Sequence, residues 1–129
     1  MSNAMIRTRF AWVFIYATTA VAGDVVIHLD GAAPVSRQVI RYQCDANASK
    51  LGLPDGLFPV EYINGGGNSL AVLPISGKPM IFANVLSGSG ARYAAQEYIW
   101  WEAAGRSVSL TSDTLAGKIE STCQRVNSK

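Results

Sequence analysis

The residues best suited to do chemistry lie together in Ser87-Gly88-Ser89-Gly90-Ala91-Arg92-Tyr93. Two serines alternate with two glycines, and a small residue, a cation and an aromatic follow. Glycine lets the backbone turn sharply and approach another surface closely, and a serine hydroxyl is a short donor for a carboxylate. That composition describes an ordinary flexible turn as well as a loop small enough to enter a cleft. Covalent catalysis is poorly served. His28 is the single histidine, so a Ser-His-Asp set would depend on an N-terminal segment. Ser87 occupies the position where a nucleophile elbow needs glycine, and Gly77-Lys78 lacks the rest of a phosphate loop. No grouping of His, Cys and carboxylates has metal-ligand spacing, so neither a metal nor another cofactor is expected. Tyr98, Trp100 and Trp101 suggest a carbohydrate platform, but on an alternating strand Tyr98 and Trp100 share one face and Trp101 takes the other. Core packing of part of that set is the simpler reading.

The elements that must position this loop are short strands. Gln38 to Cys44 alternates, with Ile40, Tyr42 and Cys44 on one face, and Phe58, Val60 and Tyr62 repeat the pattern opposite Glu61. Asn64-Gly65-Gly66-Gly67-Asn68 reads as a hairpin loop, because Gly and Asn tolerate positive φ. Ser69 to Ile75 and Pro79 to Val85 are apolar runs, and Glu97 to Trp101, Arg106 to Thr111 and Lys118 to Cys123 follow. Val25 to Leu29 is an early strand or an extended arm, and Asp45 to Gly56 is rich in loop formers. Seven or eight short strands at regular spacing suggest an all-β antiparallel barrel or sandwich. Of the two, the expectation is a small antiparallel barrel of about eight strands, lipocalin-like in outline, with one disulfide. A barrel also leaves no sheet edge exposed.

The 129 residues suffice for one domain. Met1 to Ala4 read as an expression scar. Arg7 and Arg9, the apolar run from Phe10 to Ala17 and Ala20-Val21-Ala22 then have the order of a secretory signal. Residues 1–22 are therefore expected to be scar plus signal peptide, and residues 23–129 the mature domain. The chain carries 11 basic and 9 acidic residues; losing Arg7 and Arg9 leaves nine of each. No Lys/Arg-rich block remains for nucleic acid. Cys44 and Cys123 are the two cysteines, and in an oxidising compartment they should pair. Neither directly follows the signal, so no membrane anchor is expected and the location read from this is periplasmic. Were Phe10 to Tyr16 retained, they would expose an apolar strand able to associate, a homodimer being one outcome.

The order of residues from Ser87 to Tyr93 resembles the bacterial membrane-bound and periplasmic c-type lysozyme inhibitors. Their Ser-Gly-Ser-Gly-Ala-x-Tyr motif is followed by a Trp, as Tyr93 is here by Trp101 after seven residues. Tyr42-Gln43-Cys44-Asp45 and Cys123-Gln124 are similar to the family's two cysteine segments, so the resemblance runs from about Val39 to Gln124. It departs at the second motif, Trp-x-Lys-Gly: Ala103 stands at the lysine position, and Gly105 comes one residue late. Arg106 supplies a cation from a shifted turn, or is simply a solvated residue at a strand start.

The resemblance implies a non-enzymatic barrel that inserts the Ser87–Tyr93 loop into the active-site cleft of c-type lysozyme and so protects peptidoglycan. The lysozyme-binding residues it implies are Ser87, Gly88, Ser89, Gly90, Ala91, Arg92, Tyr93 and Arg106. Ser89, with Ser87 as a second donor, would address the enzyme's paired carboxyls. Arg92 would either approach the acidic cleft or brace the loop from behind, and Tyr93 and Trp101 would anchor its base. The rival reading is a lipocalin-like carrier, which needs an open apolar cavity. A hydrolase centred on Ser89 would need His28 beside it.

Overall fold

A computed structural model describes residues 11–15, 23–31, 33–104, 107–114 and 117–127. Eight antiparallel strands, each paired with the next and the last with the first, close a barrel. They are β1 (Ser36–Cys44), β2 (Phe58–Gly65), β3 (Asn68–Ile75), β4 (Lys78–Val85), β5 (Ala91–Ala95), β6 (Tyr98–Glu102), β7 (Val108–Thr114) and β8 (Gly117–Val126). The all-β expectation and the eight-strand count hold.

Alternation decides which side of each strand faces inward. Tyr42 on β1, Phe58, Val60 and Tyr62 on β2, and Ala71, Leu73 and Ile75 on β3 are buried, while Val39 and Ile81 stand outside. Trp100, Tyr42, Phe58, Phe82, Leu73 and Leu110 are fully buried and fill the interior. Trp100 meets Tyr42 edge-on, with ring centroids 5.1 Å apart, an arrangement favoured by the ring quadrupoles. These side chains occupy the interior where the carrier reading would require an open apolar cavity. Tyr98 and Trp100 point inward and Trp101 outward, as alternation requires.

The hairpins are tight. Gly66 and Gly67 both have positive φ, 58° and 76°, the primed turn whose twist suits two paired strands. Ser76 and Gly77 repeat it at 51° and 72° between β3 and β4. The glycine-rich stretch at 64–68 thus forms a two-residue turn, with its flanking residues drawn into β2 and β3. Segment 45–57 carries one 3-10 helix, Ser49–Leu51, whose Leu51 is buried. Asp45 ties this segment to β8: its carboxylate accepts from the Ser121 hydroxyl at 2.8 Å and from the Thr122 amide at 3.0 Å. Those donors hold its pKa below the usual carboxylate range, the Thr122 amide foremost.

Cys44 and Cys123 form the expected disulfide, joining chain positions 79 residues apart. On the chain-entropy account such a loop stabilises by about 4–5 kcal/mol. The two cysteines are register partners on β1 and β8. The same cross-strand row continues from Cys123 to Val108, to Glu102 and to Ala91. It therefore runs from the disulfide to the first residue of β5.

Several boundaries differ from the sequence reading. The longest difference is at the loop: Ala91, Arg92 and Tyr93 belong to β5, so the connection from β4 is only residues 86–90. Glu97 lies in a turn, and β7 starts at Val108. Segment 25–29 is exposed and is an arm, not a strand. Arg106 lies outside the described residues, as do most of the expected signal segment and scar, residues 1–10 and 16–22.

Candidate functional site

The β4–β5 connection lies at the end of the barrel where β6 leaves the sheet. Its conformation is set by one carbonyl. Ser89 O accepts from the Ser87 hydroxyl at 2.6 Å and from the Trp101 indole N–H at 3.1 Å. The second bond ties the loop tip to β6, so Trp101 anchors the loop by its ring nitrogen as well as by packing. Ser87 is turned into the loop as a brace. Ser89 is exposed, and among the described residues its own hydroxyl accepts and donates no intramolecular bond. Of the two serines, Ser89 is the one left to address a partner.

Gly90 shows why glycine is required here. Its φ is +67°, and a Cβ built on it would lie 1.9 Å from the Glu102 carbonyl oxygen and 2.8 Å from the Ala104 amide nitrogen. The loop backbone thus rests directly on residues 102–104. Ala103, which stands at the lysine position of the resembled motif, is half-buried and lines the same groove as Gly90, Glu102 and Arg125.

Glu102 follows Trp100 on the inward parity of β6, and it fixes that platform from inside the barrel. Its Oε1 accepts from the Tyr42 hydroxyl at 2.8 Å and from the Tyr62 hydroxyl. The two hydroxyls are themselves 3.0 Å apart, and the Trp100 indole N–H donates to Tyr62 at 2.9 Å. Burial above all pushes the Tyr42 hydroxyl up to about 12; the hydrogen bond with Tyr62 opposes it as the next-largest influence, the bond to Glu102 and its charge add to the rise, and Arg125 opposes it slightly. Burial, and then the bond to Glu102, raise Tyr62 far above the usual tyrosine range. Tyr93 is raised as well, by burial and then by the Glu102 charge. Tyr42 and Tyr62 therefore stay neutral donors to one carboxylate, with Tyr93 a neutral neighbour.

The remaining expected residues divide between the two faces of β5. Ala91 and Tyr93 face inward, and Tyr93 packs on Tyr62 with ring centroids 5.8 Å apart. Tyr93 is thus a buried support for the loop. Arg92 faces outward, pairs across the strands with Trp101, and is held by its backbone: its carbonyl accepts from the Asn84 side-chain amide at 3.1 Å. Sequence reasoning missed the Tyr42–Tyr62–Glu102 group. The signal was present as an acidic residue at an inward position of a strand, two residues after a tryptophan that packs in the core. His28 lies in the exposed segment before the barrel. Among the described residues no group of His, Cys, Asp and Glu could hold a metal ion.

Comparison with known proteins finds the same barrel and the same loop region in one family. A family model described as the membrane-bound lysozyme-inhibitor of c-type lysozyme (MliC) matches residues 42–118. The chain is 41% identical over 91 residues to the membrane-bound lysozyme inhibitor of C-type lysozyme of Pseudomonas aeruginosa, covering 70% of this chain and 65% of that protein. It is 37% identical over 73 residues to the protein of the same description in Cupriavidus necator, covering 57% of this chain and 52% of that protein. The chain therefore matches between half and two thirds of the length of these curated relatives. The crystal structure of Pseudomonas aeruginosa MliC in complex with hen egg white lysozyme superposes with a TM-score of 0.60 at 34% identity, covering 83% of this chain and all of that one. With the matched region running from Tyr42 through the loop and β6 to Lys118, the chain belongs to the family of membrane-bound lysozyme inhibitors of c-type lysozyme.

Proposed function

We propose that this protein inhibits c-type lysozyme without chemistry of its own, by placing the 86–90 connection in the enzyme's active-site cleft. The observation that carries this reading is the pinned Ser89: its carbonyl is held from two sides while the residue is exposed and its hydroxyl has no partner among the described residues. Lysozyme works through one protonated and one ionised carboxyl group facing each other across the cleft. A hydroxyl donating to such a carboxylate is worth about 1.5–3 kcal/mol. A loop already fixed before binding loses little conformational entropy on complex formation. Ser87, Gly88, Gly90, Ala91 and Tyr93 serve by shaping and supporting that presentation, and Arg92 brings a cation to its outer side. Arg106 is a further candidate contact.

The site of action that fits is the cell envelope, on its periplasmic side, with residues 1–22 as scar and export signal and residues 23–129 as the inhibitor domain. The disulfide suits an oxidising compartment. No helix among the described residues is long and apolar enough to cross a membrane.

The test is a muramidase assay with hen lysozyme, titrated with the parent protein and with Ser89→Ala. Dose-dependent inhibition by the parent, weakened at least tenfold by the substitution, is the expected result. A parent without effect at micromolar concentration, or a Ser89→Ala variant as potent as the parent, would overturn the reading.

A further inference from the structure

On the outer side of the loop, the strands carry a feature that loop insertion does not use. Leu86, the first residue after β4, is 95% exposed, the most exposed of the large apolar side chains described. It stands at the rim of an open groove of 360 Å³ that Ser87 and Gly88 line from the loop side. The opposite wall is the outer face of β5 to β8, where Arg92, Trp101, Thr111, Asp113 and Lys118 line the same groove. Trp101 is 37% exposed there even though its ring nitrogen is committed to Ser89. Among the described residues the one salt bridge is Arg37 with Glu61, elsewhere on the barrel. Asp113 is the cross-strand partner of Lys118, though no salt bridge joins them. Two cations and one carboxylate thus surround Ile99 and Trp101, and the groove keeps a net positive charge.

We infer that this groove is a second contact surface for the same enzyme, receiving the lip of its cleft, and that Leu86 and Lys118 are specificity-determining residues. The inference rests on the loop-insertion reading and extends it. Continuity carries the argument. Ser87 and Gly88 belong both to the inserted connection and to the groove wall, so a cleft that takes up the loop must bring its lip over Leu86. Covering a protruding leucine removes apolar surface from water. With Arg92 and Lys118 against the single carboxylate of Asp113, the groove is net positive and fits a lip that carries a carboxylate beside an apolar side chain. A small ligand would not cover Leu86, which projects out of the groove.

The experiment is binding of hen lysozyme to the parent, Leu86→Ala, Lys118→Glu and Ser89→Ala, measured calorimetrically at low salt and at 0.5 M NaCl. Positions 86 and 118 are exposed, so both variants should melt with the parent, and this is checked first. Leu86→Ala is expected to weaken binding about fivefold to tenfold at either salt concentration. Lys118→Glu is expected to weaken it about tenfold at low salt, with the difference shrinking at high salt through screening. If Ser89→Ala loses affinity while Leu86→Ala and Lys118→Glu bind like the parent, the groove inference is wrong and loop insertion stands. If Lys118→Glu binds more tightly, the lip is not acidic and the inference is also overturned. A parent that does not bind removes both readings together.

Discussion

Replacing Gly90 by alanine tests whether the loop works through its fixed seat on β6. Two effects add. The residue has φ +67°, and moving a non-glycine residue into the left-handed region costs roughly 1–2 kcal/mol. The added methyl would also lie 1.9 Å from the Glu102 carbonyl oxygen, and relieving that requires a shift on the order of 1 Å, given ordinary contact distances near 3.5 Å. Glu102 is held by its pairing with Ala91 and Val108 and by two tyrosine hydroxyls, so the loop must be the part that moves. Moving it breaks the bond from Trp101 to Ser89 O, a further loss of about 0.5–1.5 kcal/mol. Together these put the penalty at roughly 1.5–3.5 kcal/mol, or about tenfold to several-hundredfold in the inhibition constant at 1.4 kcal/mol per decade. Inhibition of hen lysozyme reads the effect directly. Gly67→Ala is the control, since Gly67 has φ +76° with nothing within 4 Å of its Cβ position. It should cost stability alone and leave inhibition unchanged. Gly90→Ala inhibiting within twofold of the parent would refute the claim that the seat on residues 102–104 sets the loop.

Tyr62→Phe removes a hydroxyl that both donates to Glu102 and accepts from Trp100; urea unfolding should show a loss of about 2–4 kcal/mol, and a change below 0.5 kcal/mol would disprove that the group is structural. The double variant Cys44→Ser, Cys123→Ser should lose about 4–5 kcal/mol in the same measurement, and an unchanged midpoint would contradict the entropic role given to the bridge. Stability should be level from pH 7 to 9 and fall above pH 10. Unfolded tyrosines release protons near pH 10, whereas folded Tyr42 holds its proton to about 12 and Tyr62 beyond that. In that window the unfolded chain binds fewer protons, so each such group lowers stability by about 1.4 kcal/mol per pH unit. A urea midpoint that stays flat from pH 9 to 11.5 would show that these hydroxyls are not buried donors.

Alternation made most of the barrel legible before the structure was known. It grouped Tyr42 with Ile40 and Cys44, set Tyr62 with Phe58 and Val60 opposite Glu61, and put Trp100 on the other face from Trp101, because side chains on a strand strictly change sides. It failed at Ala91 to Tyr93, which read as loop because they follow Ser-Gly-Ser-Gly without a break. Only the pairing of Ala91 with Glu102 and of Tyr93 with Trp100 shows where the strand begins, and pairing partners are set by tertiary structure. The split roles of the two serines were equally hidden. Ser87 and Ser89 are chemically alike, and a single carbonyl decides that one braces the loop while the other is left free. Glu102 was missed for the opposite reason. An acidic residue at a strand end reads as a solvated charge until the tyrosines from two other strands are seen to converge on it.

The row of paired residues from Cys44 through Cys123, Val108 and Glu102 to Ala91 gives the molecule a chronology. One end of that row is closed by a covalent bond that forms only under oxidising conditions, and the other end is where the loop begins. A chain still in a reducing cytosol has the row open at the end that locks it, and its loop platform rests on non-covalent contacts alone. On the proposed route of export, the barrel would be tightened only once the chain reaches an oxidising compartment. The redox state of the surroundings, and not the sequence of the loop alone, would then decide when the loop platform is covalently backed.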